Sequence, residues 1–559
     1  MIKSFIKKIG LFIISLLRSK IVWQSLLVGF FCGIIVIAFR VCIETLFSFV
    51  IEISAKKYYI FFLPLVASVG GLISGILVFK LAPETKGSGI PFVKMCLQRS
   101  GKTVRIRTIF VKFIAGVSAI GTGMSLGREG PSVQLGAGVG SLVGNLFRLK
   151  NSNKDTLIAS GAGAAIAATF NAPIAGTIFV LEELLNRFSS SILFPCLVAT
   201  VTASSVSRYL LGNKTIFACE FVPAVFNSES IIIYVFLAIV SGIFGVLFSK
   251  TIFFFDNLFE KLSKIPNYIK PAIASLIIGI VGIYLPQVLS GGNTVVEVLL
   301  NDGFPIVLVL IIFLVKFIMT PLCFGSGAPG GIFLPMLMLG AFLGYVVGYI
   351  ALNFGFDINP STMAFIGMAA FLSAVARTPI TATVMVFEMT GGYESILPIM
   401  LVSALSDMTA EKLGQKPIYS KLLLESYRKC SNNPQLSSKL VENFMTKDVK
   451  SFAFSDDINT ILKIMNVEKH NAYPVVDEKQ RLQGIITKAD IEDVLTDNNN
   501  SIIPVGRIMN TNPTQVYKYD NLYTCYYRLH NNNTEWAIVI NQRNNVEGII
   551  TRADILREL

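Results

Sequence analysis

A single carboxylate, Glu129, stands inside the run GREGP (residues 127–131), with hydrophobic sequence closing in on both sides. A charged side chain at membrane depth costs about 2.5–3.5 kcal/mol unless it is paired, so Glu129 is a functional candidate by default. Two further segments share its make-up, GSGIP (87–91) and GIFLP (331–335). Glycine lets the backbone approach a ligand closely, and a neighbouring proline can open a helix. The free N–H groups of a helix's first turn lie at the positive end of its dipole and bind an anion without a full cation. The same N–H array could hold the ionised Glu129 side chain, so anion and carboxylate would compete for one seat. Protonation would neutralise the side chain and let it swing away. Both histidines, His470 and His530, lie in the C-terminal tail. Proton chemistry inside the membrane therefore falls to Glu, Asp, Tyr or Lys. A phosphate loop is the rival explanation for such glycines, and it fails: Gly101-Lys102-Thr103 has Cys96 where the motif requires glycine.

The candidate segments belong to duplicated sequence. Residues 111–144 align without a gap on residues 315–348, 204 positions later, with 14 of 34 positions identical, including six glycines and Pro131/Pro335. A second pair, 161–182 over 367–388, keeps Pro173/Pro379 and Glu182/Glu388 in register. Repeated hydrophobic segments interrupted by Gly and Pro mark a transport fold whose site lies between the repeats. The alignment also sorts residues. Lys112/Lys316 recur in both halves and read as buried structural charges; Glu182/Glu388 read as carboxylates that each hold a helix end. Glu129 faces Phe333 across the alignment and Glu183 faces Met389, so the shared fold needs neither acid. Arg128 keeps two readings, an electropositive group at a pore mouth or a side chain snorkelling to the interface.

The elements that must position these residues are apolar helices. The chain has 559 residues, 53% hydrophobic and 15% charged, which excludes an ordinary soluble protein and a disordered one. Apolar runs recur from about residue 21 to residue 413, many long enough to cross a hydrocarbon core of roughly 30 Å. They predict well over ten helical segments, some too short or too broken to span fully. The formal net charge is +13. Residues 436–559 hold 14 Lys/Arg against 16 Asp/Glu, a net of −2, so the first 435 residues carry +15. A basic membrane portion reflects cytoplasmic loops under the positive-inside rule and also favours anions near a pore mouth. Residues 1–20 read as an amphipathic helix lying on the cytoplasmic face. The eight cysteines are scattered and read as small buried hydrophobes, neither disulfides nor metal ligands.

Hydrophobic density falls after about residue 413, and a polar linker at 427–439 leads to a tail that is itself duplicated. LQGIITKADIEDVL (482–495) matches VEGIITRADILREL (546–559) at an offset of 64. Each unit has a short β run, a turn, a second strand ending in IIT, and a helix opened by Ala-Asp.

GSGIP, GREGP, GIFLP and FNAPIAGTIFVLEE (170–183) together resemble the signature set of the CLC family of chloride channels and chloride/proton antiporters, in that family's order over about residues 60–420. The resemblance implies an all-α polytopic membrane domain at 21–426, built from two inverted repeats (about 21–212 and 230–420), and a homodimer with one pore per subunit. It implies that the Ser88 hydroxyl, the backbone N–H groups of Ile332 and Phe333, and Gly130 bind a chloride. It adds the phenol of Tyr419, in GQKPIYS, which by position alone reads as a membrane-interface aromatic. Family members that prefer nitrate tend to carry proline at the Ser88 position, so Ser88 points to chloride. The resemblance makes Glu129 the external gate and proton acceptor and Glu183 the internal proton-transfer group, with Glu182, Arg128 and Lys112 structural beside them. The tail resembles a cytosolic α/β pair of CBS domains, at 440–498 and 503–559. In related pairs the residues matching Thr487, Asp490, Thr551 and Asp554 hold the ribose of an adenine nucleotide such as ATP, ADP or AMP. The plainer reading has them cap the helix that begins there.

The expected protein is a chloride/proton antiporter of the inner cell membrane, with its N-terminus and CBS tail in the cytoplasm. Its partners are chloride, protons, membrane lipid and a second copy of itself, without nucleic acid. Transport needs no cofactor or metal. A passive chloride channel of the same fold is the alternative, and a membrane-anchored nucleotide sensor the remote one. The chain shows no nucleophile–base set that would make it an enzyme.

Overall fold

A computed structural model describes residues 20–56, 59–97, 104–149, 151–186, 188–212, 217, 224, 226–301, 303–391, 393–431, 439–468, 470–478, 480–495, 503–532, 534–541 and 544–557. The amphipathic segment expected at 1–20 lies outside these residues apart from Lys20. So does most of the linker, whose first residues continue a helix through Ser431. The described chain divides into two compact units, with the division after Leu423.

The membrane unit is helical. Its first half holds α1 (Lys20–Lys56), α2 (Tyr59–Ile76), α3 (Ile90–Leu97), α4 (Ile106–Gly121), α5 (Glu129–Leu146), α6 (Asn151–Phe170), α7 (Pro173–Phe179) and α8 (Ser190–Leu211). The second half follows the same order: α9 (Ser228–Lys261), α10 (Lys270–Tyr284), α11 (Asn293–Asn301), α12 (Ile306–Gly325), α13 (Phe333–Asn353), α14 (Pro360–Ala376), α15 (Pro379–Thr390) and α16 (Ile396–Lys412), with α17 (Ile418–Ser431) added at the end. Six described helices are long and apolar enough to cross a membrane. In α13, 78% of the most apolar window is buried inside the protein, against 44% in each of the other five, so α13 runs through the middle of the unit. Most described cysteines are buried, but Cys42 on α1 is exposed, because its helix turns that face outward.

Matching contacts inside each half explain the residues they share. α5 crosses α6 where a methyl on Gly136 would stand 2.2 Å from Gly161 O. α13 crosses α14 at the paired positions, where a methyl on Gly340 would stand 2.4 Å from Gly367 O. Small residues at these crossings let two backbones touch. Ahead of α7, Asn171 takes a left-handed φ of 54°, and ahead of α15 its counterpart Arg377 takes 60°. Each reverses the chain so that Pro173 or Pro379 can open a new helix at N1.

Glu182 and Glu388 then exchange ends. Glu182 accepts the N–H groups of Ile380 at 3.2 Å and Thr381 at 2.6 Å, at the start of α15. Glu388 accepts those of Ile174 at 3.1 Å and Ala175 at 2.7 Å, at the start of α7. Each carboxylate fills the donors that a helix N-terminus leaves unpaired. Two helices that each cap the other's start with their own far end must run antiparallel. The halves are therefore related by a pseudo-two-fold axis, the geometry of inverted repeats.

The tail unit holds two three-stranded sheets among the described residues. In the first, β1 (Phe452–Ala453) pairs parallel with β2 (Ala472–Val476), which pairs antiparallel with β3 (Leu482–Thr487). In the second, β4 (Gln515–Tyr517), β5 (Trp536–Ile540) and β6 (Val546–Thr551) repeat the order, with a bulge at the matching place, Val539/Ile540 for Val475/Val476. Helices α18 (Ile458–Glu468), α19 (Lys488–Leu495), α20 (Leu522–Asn531) and α21 (Arg552–Leu556) cover them. The two repeats also pair reciprocally. Ile485 and Asn510 exchange backbone hydrogen bonds at 3.0 and 2.9 Å, and Ile549 and Thr446, 64 positions on and back, do so at 3.0 and 2.9 Å.

Candidate functional site

Helix starts from the two halves meet in the membrane unit. Gly127, just before α5, and its counterpart Gly331, just before α13, exchange two backbone hydrogen bonds, each 2.7 Å long. That antiparallel bridge sets the two N-termini side by side. A methyl on Gly331 would lie 3.0 Å from Gly130 N, and one on Gly130 would lie 2.3 Å from Ser88 Oγ. GREGP, GIFLP and GSGIP are thus in one place. Ser88 is held between Gly87 and Gly89, whose φ values of +63° and +87° suit glycine and strain any other residue. Lys112 fixes this loop, donating to Thr85 O at 2.8 Å and Gly87 O at 2.6 Å. Lys316 does the same for the loop of the second half, through Val288 O and Ser290 O at 3.0 and 2.7 Å.

The donors line up by position. Ile332 is the N-cap residue of α13 and Phe333 its first residue, both fully buried, so their amides belong to the turn that has no intrahelical acceptor. The Phe333 ring packs against Phe170 at 5.6 Å and Phe179 at 6.3 Å. The Ser88 and Tyr419 hydroxyls are buried without a hydrogen-bond partner. Such buried polar groups cost free energy when unmatched, and a desolvated halide is a group that would match donors of this kind.

Glu129, the first residue of α5, is completely buried, and neither of its oxygens makes a hydrogen bond of ordinary geometry. Its own backbone N–H and that of Leu334, in the first turn of α13, face the carboxylate. Arg128 is buried beside it and donates to Glu44 Oε1 on α1 at 2.6 Å; Arg40 shares that oxygen at 3.0 Å. Neither sequence reading of Arg128 contained this partner, 84 residues away.

Glu183 lies elsewhere in the unit. After Phe179, α7 widens into a π-turn, Val180–Leu184, that carries both Glu182 and Glu183. Glu182 faces the start of α15, while Glu183 points inward, 2% exposed, to Lys94 Nζ of α3 at 2.7 Å. Lys94 also donates to Ser420 Oγ at 2.7 Å. The neighbouring Tyr419 hydroxyl feels the charge of both Glu183 and Glu129. Sequence reasoning missed Lys94, although a lone lysine within IPFVKMCL was signal enough.

In the tail, Asp490 Oδ2 accepts from Thr487 N at 2.9 Å and Thr487 Oγ1 at 2.7 Å. Asp554 and Thr551 make the same pair at 2.9 and 2.7 Å. All four side chains are engaged at the starts of α19 and α21.

The family model described as Voltage gated chloride channel matches residues 70–411. The chain belongs to the voltage-gated chloride channel family. The CBS domain model matches twice in the tail, at 441–497 and 505–559. Among curated relatives, the H(+)/Cl(-) exchange transporter ClcA of Vibrio cholerae serotype O1 (strain ATCC 39315 / El Tor Inaba N16961) is 36% identical over 418 residues, covering 72% of this chain and 89% of the relative. The crystal structure of a slow cyanobacterial Cl-/H+ antiporter superposes with a TM-score of 0.70 at 29% identity, covering 74% of this chain and 99% of that one. A eukaryotic CLC transporter shares the fold over 97% of this chain and 98% of its own, with a TM-score of 0.68 and 20% identity. The last match spans membrane unit and tail alike. As a family member the chain is a membrane-spanning protein with a helical transport domain and a CBS pair.

Proposed function

We propose that this chain exchanges chloride for protons across the membrane. The observation that carries the reading is the pair of buried carboxylates, Glu129 at the start of α5 and Glu183 against Lys94. In this mechanism the amides of Ile332 and Phe333, the Ser88 hydroxyl and the Tyr419 hydroxyl hold a dehydrated chloride, with Gly130 leaving room beside Ser88. Glu129 competes for the same donors when ionised and leaves when it takes a proton. Glu183 passes protons to and from the cytoplasmic side. Lys112 and Glu182 support the loop and the helix start, and Arg128, tied to Glu44, flanks the gate. The names of the ClcA relative and the cyanobacterial antiporter support exchange over passive conduction.

We also propose that the protein works as a homodimer in the inner membrane with both termini cytoplasmic, and that its CBS pair binds an adenine nucleotide. The basic balance of the membrane portion supports the orientation, and the two CBS matches support the regulation. The deciding experiment loads proteoliposomes with chloride, imposes a gradient and records external pH. Wild-type protein should pump protons against their gradient. Glu183→Gln should reduce proton movement by roughly 100-fold or more, the scale of a lost proton-transfer group, while chloride still moves. A wild type that passes chloride with no proton movement is a channel, and the reading fails.

A further inference from the structure

Lys94 connects the two ends of this mechanism. Its helix α3 begins directly after the Ser88 loop, and its ammonium touches both Glu183 and Ser420, the residue after Tyr419. Lys94 and Glu183 are each 2% exposed, so each charge tolerates burial only because the other is present. A proton arriving on Glu183 removes one of these charges and leaves the ammonium unbalanced. From Ile90 to Lys94 the helix rises about 6 Å, and its side chains lean toward the N-terminus. On that rise the ammonium lies roughly 10 Å from the proposed anion seat at that helix start. At an effective dielectric near 20, a unit charge at about 10 Å changes an ion's binding constant roughly ten- to twentyfold.

We propose that Lys94 is the positioning residue that couples the two ions, making protonation of Glu183 and binding of chloride at the Ser88–Tyr419 seat favour one another. The inference rests on the exchange mechanism proposed above. The charges balance: a proton from cytoplasmic water joins a Glu183 oxygen, Lys94 keeps its own three protons, and one chloride offsets the charge that appears. The other groups facing Glu183 do not serve this purpose. Glu182, on the same turn, is committed to the start of α15. The Tyr419 hydroxyl, from α17, is a neutral donor. The packed α6 carries Lys154 and Asp155 only in its half-exposed first turn.

The test is a double-mutant cycle read by calorimetric chloride titration of the full-length protein. It uses a Glu129→Gln background, so that competition from that carboxylate drops out. Glu183→Gln mimics the protonated state and should tighten chloride binding roughly tenfold when Lys94 is present. In Lys94→Met the buried Glu183 has lost its counter-charge and holds a proton already, so the same substitution should change binding less than twofold, and Lys94→Arg should restore the difference. Equal shifts with and without the lysine, or none in either, overturn the proposal. Should Lys94→Met fail to fold, the pH dependence of chloride binding carries the test. Binding should tighten as pH falls with Glu183 present and stay level in Glu183→Gln; two identical profiles overturn it. Proton pumping in liposomes separates the two ideas. A wild type that pumps while the cycle shows no coupling loses only Lys94; a wild type that does not pump loses the exchange mechanism.

Discussion

The two halves of the membrane unit share their scaffold and differ in their chemistry. Gly127 and Gly331, Lys112 and Lys316, Glu182 and Glu388 perform matched tasks about one pseudo-two-fold axis. Where the halves diverge, the second has Phe333 for Glu129, Ile332 for Arg128 and Met389 for Glu183. The backbone diverges with them. α15 ends as a regular helix at Gly391, but α7 loosens into a π-turn that aims Glu182 at its partner helix and Glu183 inward. Duplication thus supplied a symmetric frame, and acids added on one side only gave it a polarity. The tail keeps the symmetric condition at its helix starts: Asp490 and Asp554 each accept from their threonine's N–H at 2.9 Å and its hydroxyl at 2.7 Å.

That contrast can be broken at its strongest point first. Glu129→Ala should abolish proton pumping while chloride flux persists. It should also remove the rise in chloride flux expected of the wild-type protein as pH falls and Glu129 takes up its proton. Paired flux and pH recordings in liposomes check both. Gly127→Ala and Gly331→Ala come next, as identical changes at equivalent positions. The new methyl at 127 meets a side-chain end, Glu129 Oε2, at 2.2 Å, whereas the one at 331 meets backbone at 3.0 Å. The first should speed chloride flux and flatten its pH profile. The second should lower thermal stability in detergent without flattening that profile. Glu182→Gln and Glu388→Gln should each destabilise by about 1 kcal/mol, the cost of weakening half-buried charge-assisted hydrogen bonds, and should leave the coupling ratio unchanged. Unequal coupling between these two would show that the symmetric pair also takes part in transport. In the tail, Thr487→Ala and Thr551→Ala should cost about 1 kcal/mol each as lost helix caps, measured by thermal unfolding of the full-length protein.

Much of the frame was legible in the sequence because it is local or repeated. The short helices after Pro173 and Pro379 follow from proline chemistry, and the close helix crossings from glycines in matching places. The recurrence of Glu182 and Glu388 pointed to a shared task at a helix end. That each acid serves the other half's helix was beyond the sequence. Lys94 and Glu183 are 89 residues apart, and Glu44 and Arg128 are 84 apart; neither acid lies in the repeat as the partner of its base. No spacing rule joins them, since their contact depends on how whole helices pack. The π-turn is equally hidden, because VLEEL in itself fits an ordinary helix.

By itself, the amino-acid sequence determined that this is a duplicated membrane protein with glycine-opened helix starts, a carboxylate among them and a paired α/β tail. Composition, periodicity and internal repetition are properties of the chain's order, and hydrophobic burial acts on them directly. Only the tertiary structure decided which helix starts converge on Ser88, which way Glu183 faces, and that a buried lysine answers it. Those outcomes depend on charges too costly to bury alone, and each finds its counterpart only once distant helices have closed around it.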